Sequence, residues 1–242
     1  MRIKTLALAG LAAVLLTACG GGDDEAGSSG GSSSSSSAGA AAANGLADKT
    51  GPEVAEAAAD ALAGVDAVHV KGDGTSDGQQ LALDLQVQGE DVSGTISNAG
   101  QTLQVIHTGG QTYAQAPAEF WSAQGVPAEA VGQLAGKWVT LPSEVGSELS
   151  GISLQDLVDE LRKPSDGAYQ DEVSTDRRNG QDVVVLKQAT GSTLQVAATG
   201  KPYPLFSETK GDEPGTLTFS DFGKKQTIAA PPSPLDLSQA GA

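Results

Sequence analysis

The fold is decided by the stretch Leu81-Ala82-Leu83-Asp84-Leu85-Gln86-Val87-Gln88. Leucine and valine at every second position alternate with polar or small residues. A period of two is typical of a β-strand with one buried and one exposed face. The stretch therefore predicts a sheet that is covered on one side only.

Three further strand-like segments follow this stretch at short intervals, over residues 92–97, 102–108 and 111–115. They are linked by turns rich in Gly, Asn and Asp, at 89–91, 98–100 and 109–110. Links this short cannot make a crossover between parallel strands. The sequence therefore predicts an antiparallel meander.

Helical patterns flank and interrupt the strands. Thr50-Gly51-Pro52-Glu53 has the capping-box pattern that begins a helix, and Ser153-Leu154-Gln155-Asp156 begins a second helix that Pro164 ends. Between them, Pro117 and Pro127 predict a helical insertion. We expect the remaining strands at 68–70, 137–141, 169–174, 182–188, 193–198, 205–209, 215–222 and 225–229. Strands, then helices, then strands indicate an α+β domain with an antiparallel sheet and its helices on one face.

The N-terminus has the pattern of a secretory signal. Arg2 and Lys4 precede an apolar run, Leu6 to Leu16, which is shorter than the roughly 20 residues of a membrane-spanning helix. The run ends in Leu16-Thr17-Ala18-Cys19, which resembles the lipobox of bacterial lipoproteins. That resemblance implies removal of residues 1–18 and attachment of diacylglycerol, with palmitate-type chains, to Cys19. Several acyl chains together give stable anchoring.

Composition divides the rest of the chain. Residues 19–47 carry Cys19 and a Gly-, Ser- and Ala-rich stretch with almost no large apolar side chain, which predicts a disordered tether. Periodic apolar segments then predict one folded domain over 48–230. We expect a proline-rich tail at 231–242.

Charge and motif content exclude several classes of function. The net charge of −16 argues against nucleic-acid binding through a basic patch. Cys19 is the only cysteine, so a CxxC redox site and thiolate metal sites are excluded. No catalytic motif occurs in the folded part, and the two histidines, His69 and His107, lie in separate strands where we expect them to face solvent. We therefore predict no catalytic residue, no metal, no cofactor and no enzyme activity. A hydrolase would require polar residues that converge only in the folded chain.

The whole arrangement resembles the actinobacterial LppX/LprG-type lipoproteins, which share a fold with the LolA carriers. The resemblance rests on the lipobox, the serine-rich stalk and the order of elements. Local segments also carry it: Gly110-Gln111-Thr112-Tyr113, Phe120-Trp121, Gly136-Lys137-Trp138-Val139, Gly200-Lys201-Pro202-Tyr203-Pro204-Leu205 and Leu217-Thr218-Phe219-Ser220-Asp221-Phe222-Gly223. The resemblance implies a single curved half-barrel sheet with helices on its concave face.

The same resemblance implies an apolar cavity between sheet and helices that holds acyl chains. The candidate lining residues are Leu83, Leu85, Val105, Tyr113, Phe120, Trp121, Leu157, Leu161, Val185, Val196 and Phe219. Each of them fits an ordinary hydrophobic core equally well. Small residues at these positions either widen a cavity or fill it.

The expected function is that of an extracytoplasmic lipoprotein, anchored to the cell membrane, which binds a lipid or lipoglycan and carries it across the cell envelope. A membrane transporter is an expected partner. The alternative is a binding module without a carrier role, a sensor or an accessory subunit of a membrane transporter or receptor. A filled interior with an exposed apolar patch would favour this alternative.

Overall fold

Most of the chain folds into one sheet. The computed structural model describes residues 42–76, 78–142 and 152–236. Its strands are β1 Val68–Ser76, β2 Gln79–Gln88, β3 Asp91–Asn98, β4 Gln101–Thr108, β5 Gln111–Gln115, β6 Trp138–Thr140, β7 Ser174–Arg178, β8 Gln181–Lys187, β9 Thr193–Ala197, β10 Pro204–Thr209, β11 Gly215–Ser220 and β12 Leu235–Asp236. Its helices are α1 Gly51–Ala63, α2 Ala118–Ala123, α3 Ala128–Leu134 and α4 Leu154–Arg162.

The order of strands across the sheet is β12-β6-β5-β4-β3-β2-β1-β11-β10-β9-β8-β7. All neighbours are antiparallel except β12 and β6, which are parallel. The sheet ends in two edges, β12 and β7, so the described strands do not close a barrel. The predicted fold class, a half-barrel sheet with helices on its concave face, is confirmed.

Strand register decides which residues meet the helices. Val70 lies opposite Leu85 on β2 and opposite Phe219 on β11. Directly opposed residues share one face of an antiparallel pair, and all three residues belong to the hydrophobic core with helix residues such as Val54 and Val158. We call this side the inner face. The opposite side, which carries His69 and Asp84, is the outer face.

Glycine replaces larger residues at several points of the inner face. A Cβ atom on Gly94 would lie 2.1 Å from the carbonyl oxygen of Asp84, and the φ angle of Gly94 is +154°. A Cβ on Gly72 would lie 2.5 Å from a methyl of Leu217. Gly74 and Gly215 oppose each other on the same face. Side chains crowd together on the concave side of a curled sheet, so these glycines permit the curl.

Two capped helices form the cover over one end of the inner face. Thr50 and Glu53 make the predicted capping box of α1, and Ser153 and Asp156 make that of α4. The two helices also meet through Arg162, whose guanidinium lies 3.1 Å from Glu56 and 2.6 Å from Asp60. Local signals in the sequence thus fixed where both helices begin.

Two predicted strands are wrong. Of residues 169–174, Tyr169 makes a single bridge with Gln188 and Ser174 begins β7, so the strand lies later than predicted. Residues 225–229 have no regular structure. Here Gln226 instead exchanges hydrogen bonds with Gln88 and donates one to Gln86, so the segment crosses the outer face of β2.

Ordered structure also extends outside the range 48–230 predicted for the domain. Ala43 pairs with Thr199, and Leu46 is only 3% exposed. At the other end, Leu235 and Asp236 pair with Val139 and Thr140 of β6. None of the described helices is long and apolar enough to cross a membrane.

Replacing Gly94 with alanine should lower the free energy of unfolding by about 2 kcal/mol or more, because the new Cβ meets backbone and the φ angle is unfavourable for any other residue. Gly132→Ala in α3 is the matched control. Its Cβ meets nothing within 4 Å, so the helix should gain up to about 1 kcal/mol. Urea unfolding measures both. Equal effects of the two substitutions would show that the backbone contact at Gly94 is unimportant.

Candidate functional site

Nine of the eleven predicted lining residues come together in the layer between the sheet and the helices. Leu85, Val105, Trp121, Leu161, Val196 and Phe219 are buried there, and Leu83, Phe120 and Leu157 pack against them partly buried. Their residue types are mainly small and aliphatic. This layer is the candidate ligand site that the sequence predicted.

The other two residues lie on the opposite side of the sheet. Tyr113 is opposite Ile106 and Thr140, and Val185 is opposite Ser174 and Gln195, all on the outer face. Neither residue can line a space under the helices. Their assignment to the inner face was wrong because the face on which a strand residue lies depends on the register of the strand, which composition does not reveal.

Trp121 brings a polar N–H group into the inner layer. It lies on α2, is 2% exposed, and meets the ring of Phe120 edge-to-face at 5.2 Å. Its indole Nε1 is buried and has no hydrogen-bond acceptor among the described residues. Buried N–H groups are nearly always paired, because an unmade hydrogen bond costs about 1–3 kcal/mol. An acceptor oxygen supplied by a ligand would satisfy this donor.

Side chains of the inner layer are closely packed: Leu62, Leu85 and Leu134 are fully buried. Two hollows among the described residues lie on the outer face and are open to solvent. One, of about 420 Å³, lies over β1, β2, β3 and β11 between Lys71, Asp84 and Thr216. The other, of about 470 Å³, lies near the ends of β7, β9 and β11. Entry of a ligand to the inner layer would therefore require the helices to separate from the sheet.

A hydrogen-bonded network links three strands on the outer face. His69 Nε2 lies 2.6 Å from Asp84 Oδ1, and His69 Nδ1 lies 3.2 Å from Ser220 Oγ. Lys71 Nζ contacts the other carboxylate oxygen of Asp84 at 3.1 Å. A carboxylate only accepts, so Nε2 carries a proton. Hydrogen bonds from His69 and Lys71 hold the pKa of Asp84 below its ordinary value.

The order Ser220–His69–Asp84 is also that of an activated hydroxyl in hydrolases. Such chemistry further needs N–H donors aimed at the developing oxyanion. The backbone N–H groups of β1 and of its neighbours β2 and β11 are engaged in the ladders that pair these strands. The geometry of the Ser220–His69–Asp84 network therefore favours a structural role, in which its hydrogen bonds link three neighbouring strands.

Sequence reasoning missed this network. His69 was expected to face solvent without a carboxylate near it, yet Asp84 approaches it from the next strand. The pairing of Lys71 with Asp84 and of His69 with Gln86 brings them together. Counting back from the pairing of Ser76 with Gln79 gives this register. His107 was also placed wrongly, since it shares the inner-side register of Val92 and bonds Thr112.

Cys19, the predicted signal at 1–18 and nearly all of the predicted tether lie outside the described residues. Lipidation of Cys19 therefore stays a prediction. Within the described part of the chain, no group of three His, Cys, Asp or Glu side chains has the arrangement of a metal site.

Comparison with known proteins identifies the fold. No protein-family model matches the chain, and no curated protein matches it in sequence. The crystal structure of LprF from Mycobacterium bovis is similar, with a TM-score of 0.53 and 14% identity over 76% of this chain and 99% of LprF. The lipoprotein LppX from Mycobacterium tuberculosis reaches a TM-score of 0.49 with 15% identity, over 74% and 98%. The chain has the LppX/LprG-type lipoprotein fold, an assignment that rests on LprF. At these identities the likeness establishes fold and not function.

Substitution of Asp84 by asparagine should lower the free energy of unfolding at pH 7 by about 1 kcal/mol, because two charge-assisted hydrogen bonds are lost at a partly exposed site. A lowered carboxyl pKa stabilises the fold above its unfolded value and loses this effect as the pH falls through the folded value. The difference between the two proteins should therefore shrink below about pH 4. Urea unfolding at pH 7 and pH 3 measures this.

Asp212→Asn, at an exposed turn, is the control and should have no comparable effect at either pH. A difference at Asp84 that is unchanged at pH 3 would show that its charge does not matter.

Proposed function

We propose that this chain is an extracytoplasmic lipoprotein that binds a lipid or lipoglycan between its sheet and its helices, and carries it across the cell envelope. The fold that this chain shares with LprF supports the proposal that it is a lipoprotein. The unpaired indole N–H of Trp121 is the observation that carries the proposal. It lies in a mainly apolar layer, where an acyl chain would be removed from water and an ester or carboxyl oxygen would accept a hydrogen bond from the indole N–H.

Binding would take place by opening of the layer. Apolar surface released from helix–sheet packing would be covered again by acyl chains, so the net change in exposed apolar area is small. Helices α2 and α3 are the natural moving part, since they are short, with six and seven residues. A membrane transporter is the proposed partner for loading or release.

Attachment of the chain to the membrane is part of the same proposal. Diacylglycerol on Cys19 would hold the domain outside the membrane at the end of the serine-rich tether. The charge pattern of 1–18 and the small residues before Cys19 support processing at this position.

The close packing of the inner layer, where Leu62, Leu85 and Leu134 are fully buried, favours a second candidate function. A domain whose inner layer stays closed would serve as a sensor or accessory subunit of a transporter or receptor, and would bind its partner through the surface. The position of both described hollows on the outer face supports this reading.

Dibromostearate should quench the fluorescence of Trp121 if acyl chains enter the inner layer, because bromine quenches only at close range. The chain has two tryptophans, so Trp138→Phe isolates Trp121 and Trp121→Phe isolates Trp138 on the outer face. Both variants carry Cys19→Ser to remove the anchor. We expect quenching in the first variant only, and none with unbrominated stearate.

Equal quenching of both tryptophans would indicate surface adsorption. No quenching of Trp121 would reject acyl binding in the inner layer and favour the second candidate function.

Replacement of Cys19 by alanine should abolish both labelling by an alkyne analogue of palmitate and recovery in the membrane fraction. The wild-type chain, expressed in the same bacterial host, should be labelled and membrane-bound. Labelling that persists in the variant would show that acylation occurs elsewhere. An unlabelled wild type would reject the anchor without affecting the test at Trp121.

A further inference from the structure

The hollow of about 470 Å³ on the outer face has a composition that differs from the rest of the molecule. It lies where the β7–β8 turn, the β9–β10 loop and the end of β11 meet. Arg178 and Lys201 contribute its cations, and Tyr203 and Phe222 contribute an aromatic wall. The rings of Tyr203 and Phe222 are stacked, with centroids 4.1 Å apart and planes at 3°.

Arg178 has no acidic partner among the residues that the structure describes. Of the three arginines in the described residues, Arg162 pairs with two carboxylates and Arg177 with Asp182 at 2.9 Å, whereas Arg178 makes no salt bridge there. Its guanidinium carbon lies 3.5 Å above the ring centroid of Phe206. Partial burial lowers the pKa of the Arg178 guanidinium, although the group stays charged. A partly buried cation without a carboxylate partner among the described residues is unusual in a chain of net charge −16.

Lys201 adds a second free cation at the same hollow. Its ammonium lies 5.8 Å from the ring of Tyr203 and makes no salt bridge with a described carboxylate. The acidic residue that lines the hollow, Asp221, is already paired with Lys224 at 2.7 Å. Two positive charges therefore face the hollow without compensation from its own wall.

We propose that this hollow binds a phosphate group, held by Arg178 and Lys201 beside the Tyr203–Phe222 stack. Two cations match the double negative charge of a phosphate monoester better than the single charge of a carboxylate. The guanidinium can donate two parallel hydrogen bonds to phosphate oxygens. The Phe206 ring fixes the guanidinium plane, so little side-chain freedom remains to be lost on binding.

The position of the N-terminal segment bears on the source of the phosphate. Ala42 accepts a hydrogen bond from the amide of Gly200, the residue before Lys201, and Asn44 donates to Ala197 and Gly200. Residue 42, where the described part of the chain begins, therefore lies next to this hollow. If Cys19 carries the proposed anchor, the hollow lies at the end of the domain where the tether attaches, within reach of lipid headgroups. The phosphate site itself does not depend on the anchor.

Calorimetric titration of the full chain carrying Cys19→Ser tests the site. The probes are glycerol phosphate, as a free monoester, and vesicles of phosphatidylcholine with or without phosphatidic acid. We expect binding of at least one phosphate monoester probe, which weakens with added salt. Binding of the free monoester assigns a soluble ligand, whereas binding only to vesicles with phosphatidic acid assigns a lipid headgroup. No binding of either probe would overturn the proposal.

Arg178→Gln should weaken binding about tenfold or more, because the charge and the paired hydrogen bonds are both lost. Arg177→Gln is the matched control. It removes the same charge from the neighbouring residue on the same strand, and should change the affinity less than about twofold, since long-range charge effects are screened. Equal losses of affinity in the two variants would show that only the net charge of the protein matters, and would overturn the proposed site.

Lys201→Gln keeps the test valid if Arg178→Gln fails to fold. Lys201 is exposed, so its replacement should leave the melting temperature unchanged and weaken binding about threefold to tenfold. Unchanged affinity in this folded variant would exclude Lys201, and with it the two-cation site.

Discussion

The half-barrel depends on close approach of backbone to backbone on the inner face of its sheet. At Gly94 the space for a side chain is taken by the carbonyl oxygen of Asp84, and at Gly72 by Leu217 and the Thr216 carbonyl. Without side chains at these points the central strands curl, and the aliphatic residues beside them meet the covering helices. On the outer face of the same central strands, register brings His69, Asp84 and Ser220 into one hydrogen-bonded network.

Elements with strong local signals could be predicted from the sequence. Apolar and polar residues alternate clearly in the meander from β2 to β5, and α1 and α4 begin at capping boxes. The predicted strands and helix starts therefore agree with the structure. β7 was placed too early because Ser174-Thr175-Asp176-Arg177-Arg178 is polar throughout and has no apolar alternation. An edge strand exposed to solvent needs none. β12 is two residues long and forms only through its parallel contact with β6, which no local pattern signals.

The candidate site was predictable in composition but not in arrangement. Residues that alternate in clear strands, such as Leu85 and Val105, were assigned to the correct face. Tyr113 and Val185 were not, since one step of register reverses the face. The unpaired N–H of Trp121 and the free charge of Arg178 were beyond sequence reasoning as well. Each is defined by the absence of a partner, and partners come from distant segments.

The attachment of residues 42–46 to the β9–β10 region has a mechanical consequence. The Ala43–Thr199 bridge, the side chain of Asn44 and the buried Leu46 form a short clamp at the entry to the domain. The clamp ties the residues just before α1 to the β9–β10 region, so a force applied on its N-terminal side must break these contacts before it reaches α1. The clamp therefore protects α1 and the sheet from mechanical load applied on its N-terminal side.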